Sequence, residues 1–200
     1  MDDPAEIRAF VEAIGSAEIV TVDADGAPVA TLLPILWSAD GSTIVAHMAR
    51  ANPHWRSIAP GAPVLAIVAG PQAYISPAWY AAKAEHGRVV PTWNYSSVHL
   101  TGTVNVHDDP AWVRHAVTRL TDRHEGARSE PWAVTDAPET FIAKNLKAIV
   151  GIEITVSTVE AKAKLSQNRS AEDQRGVVEG LRAEGNIRDS QVAESMQDRS

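Results

Sequence analysis

Residues 70–95 read GPQAYISPAWYAAKAEHGRVVPTWNY, a stretch in which aromatic side chains are concentrated. The chain contains six tryptophans, three tyrosines and two phenylalanines, and five of these rings lie here. Ser76-Pro77 and Pro91 prevent the local backbone from continuing as one helix or strand. Because rings with a polar tip suit a half-wet surface, the stretch indicates a pocket wall or an interface. The alternative is a long hairpin with aromatic anchors.

The composition is that of a single folded domain. A chain of 200 residues that is 44% hydrophobic can bury one well-packed core.

No run of about 18 apolar residues is present, so we expect no membrane partner. The acidic start MDDPAEIRAF lacks the apolar core of a signal peptide. Cysteine is absent, which excludes disulfides, thiolate metal sites and a cysteine nucleophile and favours a cytoplasmic location. The formal charge of −7 argues against tight, purely electrostatic binding of nucleic acid by a monomer.

Periodicity and turn signals predict an α+β fold. Helical spacing with N-cap residues predicts helices at residues 4–15, 54–58, 110–125, 139–146 and 170–181. Alternating or continuous apolar runs predict strands at residues 18–22, 29–37, 42–49, 64–69, 89–95, 98–106, 148–156 and 159–165. Six to eight strands that are mostly joined by short turns indicate a closed antiparallel barrel. From about residue 183 the chain is polar, and we expect this tail to be mobile or to dock on a partner.

The first candidate site is HMARANPHWR, residues 47–56. A predicted strand ends here, and Asn52-Pro53 marks the start of a helix, whose first turn offers unpaired N–H groups. Arg50, His54 and Arg56 surround that helix start, where cations are unfavourable unless an anion lies between them. The pattern therefore predicts a phosphate site, and the alternative is a short exposed helix with solvated arginines.

The second candidate site is KAKLSQNR, residues 162–169, which lies between a predicted strand and a predicted helix. It combines three cations with three hydrogen-bonding side chains, so it suits either an anion or ring-edge site or an ordinary basic connector. The seven histidines show no paired metal-ligand spacing, and the common nucleotide-binding and hydrolase motifs are absent. The residues by themselves thus predict a small barrel with a phosphate site and an aromatic pocket, without naming a reaction.

A series of sequence blocks resembles the PaiB-like family. The blocks are HMARANPHWR, GPQAYISPAWY, EHGRVVPTWNY, LTDRHE, PWAV, TDAPE, IVGIEI and KAKLSQNR, within about residues 5–181. That family is described as FMN-binding negative transcriptional regulators, related to the split barrel of pyridoxamine phosphate oxidase. The resemblance implies a six-stranded antiparallel split β-barrel with peripheral helices, in one domain over residues 1–182 followed by a polar tail at 183–200. It also implies a homodimer with FMN at its interface.

The resemblance further implies which residues bind the cofactor. Residues of the second strand would face the isoalloxazine ring, namely Ala30, Thr31, Leu32 and Leu33. His47 and Met48 would lie near the ring and the ribityl chain, while Asn52 and His54 would hold the phosphate. Arg50 joins this phosphate site from the helix-start pattern described above. A further group would come from the other protomer or the rim: Trp93, Asn94, Tyr95, Lys164, Ser166, Gln167 and Asn168. Apolar residues around 29–34 replace the strand-borne cations of the oxidase, which argues against oxidation of vitamin B6.

Three functions fit this sequence. The first is an FMN-binding transcriptional regulator that would contact DNA through Lys162, Lys164 and Arg169 together with the last helix. The second is a flavin-dependent oxidoreductase that would bind a small or planar substrate against the aromatic stretch, at Tyr74, Trp79, Trp93 and Tyr95. The third is a dimeric sensing module that has lost its cofactor. The sequence alone leaves these alternatives open.

Overall fold

The computed structural model describes residues 1–197 of the protein. The strands are β1 (Ser16–Val22), β2 (Pro28–Pro34), β3 (Leu36–Trp37), β4 (Thr43–Ala49), β5 (Ala62–Ile75), β6 (Thr92–His107) and β7 (Ile149–Lys164). The α-helices are α1 (Pro4–Ile14), α2 (Ala82–His86), α3 (Pro110–Glu125), α4 (Glu139–Leu146), α5 (Ala171–Ala183) and α6 (Ile187–Gln197). Short 3₁₀ helices lie at Pro53–Ser57, Pro77–Trp79 and Val134–Asp136. The sheet and its surrounding helices confirm the predicted α+β class.

The sheet contains seven strands in the order β2-β1-β5-β6-β7-β4-β3. This number lies within the six to eight strands that the residues predict, but the six strands that the resemblance implied are one too few. The extra strand arises because the segment predicted as one strand over residues 29–37 changes partner at Ile35. Before that point β2 pairs with β1, and after it β3 pairs with β4. Pro34 has no N–H to donate, and the Ile35 N–H donates to the carbonyl of Gly15 at 3.0 Å. The strands at the two ends of the sheet order, β2 and β3, are therefore separated in sequence by the single residue Ile35.

The chain forms two compact units. The larger unit consists of Pro4–Val68 and His99–Glu160, and the smaller unit consists of Met1–Asp3, Ala69–Val98 and the described chain from Ala161 onward. Strands in the larger unit alternate between buried and more exposed residues, and their inward side chains form its core, with Ile19, Ile44, Leu100, Ile152 and Ile154 fully buried. Each such side chain stabilises the fold by about 1.5–3 kcal/mol relative to an exposed one.

The core of the smaller unit is built on α5 and α6. It contains Ile75, Leu165, Val177, Leu181 and Val192, all buried. Trp79 packs against α5 so closely that a Cβ at Gly180 would lie 2.3 Å from its ring.

The segment after residue 183, predicted to be a polar tail, contains a helix. Val192, Ala193 and Met196 of α6 are buried in the core of the smaller unit. Of the two expectations for the tail, mobility is therefore wrong for residues 187–197, and docking on a partner stays a prediction. Val192 and Met196 are four residues apart, as on one face of a helix, but one such pair in a polar segment is too short a pattern to predict a helix. The part of the predicted tail at residues 198–200 lies outside the described residues. The domain boundary placed at residue 182 stays a prediction.

Candidate functional site

The segment after β4 forms the centre of the site. Asn52 caps the 3₁₀ helix Pro53–Ser57, because its Oδ1 atom accepts the backbone N–H of His54 at 3.0 Å. Pro53 occupies the first helical position, where a missing N–H has no consequence. This cap fixes both the amide of Asn52 and the imidazole of His54. The predicted phosphate site relied on the positive end of a helix dipole. The helix has only five residues and 3₁₀ geometry, so its dipole is weaker than that of an α-helix.

The imidazole of His54 joins two strands of the larger unit. Its Nε2 atom lies 2.9 Å from the hydroxyl of Thr21 on β1, and its Nδ1 atom lies 2.8 Å from the hydroxyl of Thr31 on β2. The Nδ2 group of Asn52 also donates to the Thr31 hydroxyl, at 3.2 Å. We refer to Thr21, Thr31, Asn52 and His54 as the threonine–histidine network.

His54 is a neutral residue in this network at neutral pH. Its side chain is almost completely buried, with 3% of the residue exposed, and burial lowers its pKa below the usual range. Both ring nitrogens are within hydrogen-bond distance of threonine hydroxyls. The ring therefore holds Thr31 in place and does not present a charge to a ligand, which differs from the cationic role that the resemblance implied.

The two arginines of the predicted phosphate site have different surroundings. The guanidinium of Arg50 pairs with Asp108 and donates to the carbonyls of Lys147 and Ile149. This pairing raises the pKa of Arg50 and lowers the pKa of Asp108. Arg56 is exposed, and its guanidinium lies over the ring of Trp55 at 4.8 Å. The structure thus does not bring Arg50 into the threonine–histidine network, and Arg56 remains as an exposed cation two residues after His54.

The predicted flavin-facing residues of β2 lie on two sides of that strand. Ala30 and Leu32 are exposed, and 60% of Leu32 is accessible to solvent. Thr31 is half-buried and Leu33 is buried on the opposite side. Because β2 stands at the end of the strand order, its backbone pairs on one side only, with β1. The free edge of β2 therefore offers backbone donors and acceptors next to the Thr31 hydroxyl.

His47 and Met48 occupy opposite faces of β4. Met48 is fully buried in the core, whereas His47 is half-buried and pairs in register with Gly151 of β7. The Nδ1 atom of His47 is buried without a hydrogen-bond partner, and burial lowers the pKa of this histidine. No hydrogen bond in residues 1–197 connects either residue to the threonine–histidine network.

Three of the predicted site residues in the smaller unit are part of its internal framework. Asn94 is fully buried, and its amide exchanges hydrogen bonds with the Ser166 hydroxyl at 3.0 and 3.2 Å. Ser166 has a φ of 61°, the left-handed conformation. Gln167 accepts the Leu165 N–H and donates to the Ala163 carbonyl. Their side-chain groups are therefore already used within the protein.

The remaining predicted residues of the smaller unit lie at its surface. Trp93 is exposed and its indole N–H donates to Gln72 at 3.0 Å, while Lys162 lies over the ring of Tyr95 at 6.0 Å. Lys164 donates to the Thr92 hydroxyl at 2.5 Å, and Asn168 is exposed. Tyr74 and Trp93 line one groove together with residues 186–189, whereas Trp79 packs on α5. The predicted aromatic pocket is therefore divided between different parts of the smaller unit.

Sequence reasoning did not identify Thr21 as a site residue. A threonine in an alternating strand gives no local signal, and its partner His54 is 33 residues away. The informative sign would have been a polar residue at an inward position of β1, between Ile19 and the turn.

Comparison with known proteins identifies the family. The profile of the family described as "Putative FMN-binding domain" matches residues 1–158, which include the whole threonine–histidine network. The protease synthase and sporulation protein PAI 2 of Bacillus subtilis is 35% identical over 196 residues, covering 97% of this chain and 91% of the relative.

Two solved structures share the fold. The FAD and heme binding protein from Mycobacterium smegmatis has 21% identity and a TM-score of 0.62, covering 88% of this chain and 78% of that chain. The flavocytochrome Anf3 from Azotobacter vinelandii has 16% identity and a TM-score of 0.59, and the match covers 88% of this chain and 74% of that chain. These likenesses confirm the split barrel.

The family match favours neither the oxidoreductase nor the cofactor-free alternative. On its sequence profile and its nearly full-length relative, the chain belongs to the PaiB-like FMN-binding family of split-barrel proteins.

Proposed function

We propose that the protein is a homodimeric regulator of the PaiB-like type that binds FMN beside β2 of the larger unit. The observation that carries this proposal is the threonine–histidine network, which fixes the Thr31 hydroxyl at the free edge of a strand in a chain of the FMN-binding family. When bound, FMN supplies a ring that accepts and returns electrons. The protein residues bind the flavin, orient it and limit its contact with water.

The residues around Thr31 suit the chemical parts of FMN. The ribityl phosphate and the ring carbonyls are hydrogen-bond acceptors, and the half-buried hydroxyl of Thr31 and the edge N–H groups of β2 are donors. The phosphate is an anion, and Arg56 is an exposed cation on the adjoining turn. Among the ion pairs of the described residues, none includes Arg56. Its charge is therefore available to a ligand.

The outer face of β1 and β2 supports the proposed homodimer. Leu32 and Val22 are 60% and 58% exposed. In the register of the two strands Glu18 lies opposite Leu32, Val20 opposite Ala30, and Val22 opposite Pro28, so these residues share one face. Apart from Glu18, the residues of this face are apolar. Exposed apolar surface of this kind marks interaction sites, and a second copy of the chain would cover it by pairing the same face with itself.

DNA is the proposed partner of the regulator. Lys162, Lys164 and Arg169 in the smaller unit contact aromatic rings or a hydroxyl, and no ion pair among the described residues neutralises them. These charges remain available to phosphates. The first turn of α5 carries Glu172 and Asp173, so we assign the contact to the three cations and not to that helix.

An FMN titration of the full-length protein tests the cofactor proposal. We expect saturable quenching of FMN fluorescence at about one flavin per chain, and weaker binding of riboflavin because it lacks the phosphate. If neither flavin is quenched at micromolar protein, the cofactor proposal is wrong.

A fluorescence anisotropy titration tests the DNA proposal separately. Labelled DNA from the region upstream of the protein's own gene is titrated at several salt concentrations, with and without FMN. We expect binding that weakens with salt and that is lost in the Lys162→Glu, Lys164→Glu double variant. The matched control is Lys144→Glu, an exposed lysine on α4, which should bind like the wild type. Absence of binding at low salt, or an equal effect of the control, would exclude the regulatory role without affecting the flavin result.

A further inference from the structure

We propose that Thr21 is a positioning residue for the flavin site, because it sets the tautomer of His54 and thereby leaves the hydroxyl hydrogen of Thr31 free to donate to the ligand. This inference rests on the proposed function for the identity of the ligand. The donors and acceptors of the threonine–histidine network, from the Asn52 amide to the Thr31 hydroxyl, fix these hydrogen positions.

The amide of Asn52 has a fixed orientation. Its Oδ1 atom must face the backbone N–H of His54, 3.0 Å away, because only the oxygen of an amide accepts. The Nδ2 group therefore faces Thr31, 3.2 Å away, and acts as a donor. One lone pair of the Thr31 hydroxyl is thus already used by Asn52.

Thr21 determines which ring nitrogen of His54 carries the hydrogen. Thr21 is 1% exposed, and the Nε2 atom of His54 is its only side-chain hydrogen-bond partner among the described residues. If Nε2 carried a hydrogen and donated, the hydroxyl hydrogen of Thr21 would be buried without an acceptor, which is unfavourable. We therefore assign Thr21 as the donor to an unprotonated Nε2. Since a neutral imidazole carries one N–H, the hydrogen lies on Nδ1.

The consequence is a directed hydroxyl at Thr31. Its oxygen accepts from the Nδ1–H of His54 at 2.8 Å and from Asn52, so both lone pairs are occupied. The hydroxyl hydrogen then has no acceptor in the network and points away from it. Thr31 is half-buried rather than enclosed, so a ligand can supply that acceptor. For a bound flavin the acceptor is an oxygen of the phosphate or of the ring.

The opposite tautomer would give a different site. With the hydrogen on Nε2, the Thr31 hydroxyl would donate to Nδ1 and offer the ligand only a lone pair, which repels an anionic or carbonyl oxygen. Thr21, which does not contact the ligand in this account, therefore decides whether Thr31 attracts or repels it.

The tautomer is measured directly in the flavin-free protein by long-range ¹H–¹⁵N correlation NMR, with the His54 signals identified by their loss in His54→Gln. We expect Nδ1 protonated and Nε2 unprotonated in the wild type and in Thr21→Ser, which keeps the hydroxyl. In Thr21→Val the Nδ1–H population should decrease. A wild-type ring with the hydrogen on Nε2 would overturn the inference, whatever the protein does with flavin.

FMN affinity is the second readout. We expect Thr21→Val to weaken FMN binding by about three- to tenfold, which is the effect of one hydrogen bond, and Thr21→Ser to restore it to within about twofold. The control is Thr103→Val, an exposed threonine on β6 that should bind like the wild type. Equal affinity in Thr21→Val and the wild type would also overturn the inference. If the wild type fails to bind FMN, the proposed function fails, and the NMR result alone decides the tautomer.

Discussion

A Cβ atom built on Gly151 would lie 2.1 Å from Cζ3 of Trp112, so the indole occupies the space that any side chain at residue 151 would need. The same indole stacks on His107, with ring centroids 4.0 Å apart and an angle of 8° between the planes. Trp112 stands in the first turn of α3, and Gly151 lies in β7. This contact therefore fixes the start of α3 on the outer face of the barrel, next to His47 in the register of β4 and β7.

Replacing Gly151 with alanine should destabilise the larger unit. The added methyl group overlaps the indole, and such overpacking typically costs about 1–3 kcal/mol. Urea unfolding followed by tryptophan fluorescence measures the loss. A smaller ring should relieve the overlap, so the Gly151→Ala change should be less destabilising in a Trp112→Phe background than in the wild type. Equal losses in both backgrounds would contradict the assigned cause.

Substitutions at Ser166 separate two effects on the stability of the smaller unit, backbone strain and a buried hydrogen bond. Ser166→Ala removes the partner of the buried Asn94 amide and keeps a side chain at φ 61°, so we expect a loss of about 1–3 kcal/mol. Ser166→Gly also removes the partner but relieves the left-handed conformation. Glycine should therefore be milder than alanine by about 1 kcal/mol. Thermal or urea unfolding decides the order, and an alanine variant as stable as the glycine variant would contradict the account.

The buried histidines predict how stability depends on pH. Burial lowers the folded-state pKa of His54 and His47, so the unfolded chain takes up protons there at a higher pH than the folded protein. The free energy of unfolding should therefore decrease as the pH falls below about 6.5, the ordinary pKa of histidine, until the folded-state pKa is reached. Urea midpoints at pH 7.5 and 5.5 should differ less in His54→Gln than in the wild type. His115→Gln, at an exposed position on α3, is the control and should retain the full difference.

A substitution at Leu32 tests whether the outer face of β1 and β2 joins two copies of the chain. Leu32→Glu would place a second carboxylate opposite Glu18 in this face. Its desolvation and the repulsion between the two charges are costly, so the variant should convert the dimer to a monomer. Light scattering after size exclusion gives the mass. Phe141→Glu changes another exposed apolar residue, on α4, and should leave the mass unaltered. A dimer that persists in Leu32→Glu would place the interface elsewhere.

Local signals predicted much of the barrel. Asp25-Gly26 and Asp40-Gly41 indicated hairpin turns, and the two glycines have φ values of 82° and 79°. Asp109-Pro110 indicated the start of α3, where the Asp109 carboxylate accepts the N–H of Trp112 at 3.0 Å. These features depend on residues that are adjacent in sequence, so they can be recognised without tertiary structure.

Long-range pairing explains the incorrect predictions. The predicted breaks near Gly70-Pro71, Ser96-Ser97 and Ser157 are interior positions of β5, β6 and β7, because neighbouring strands supply the hydrogen bonds that local propensity does not favour. In the site, the resemblance named Thr31, Asn52 and His54, which the structure brings together. The helix-start pattern named Arg50, which pairs with Asp108 instead. For Thr21 the sequence offers only a polar residue at an inward position of β1, and its contact with His54 follows from the fold alone.

A fluorescence titration of FMN into Thr31→Val and Thr31→Ser shows whether the Thr31 hydroxyl donates to bound FMN. Loss of a hydrogen bond to a charged acceptor corresponds to about 1.5–3 kcal/mol, so Thr31→Val should bind FMN about tenfold or more weakly than the wild type. Thr31→Ser keeps the hydroxyl and should bind within a few-fold of the wild type. Circular dichroism confirms that both variants are folded. If folded Thr31→Val binds FMN as tightly as the wild type, the flavin does not use this network, and the site proposed beside β2 is wrong.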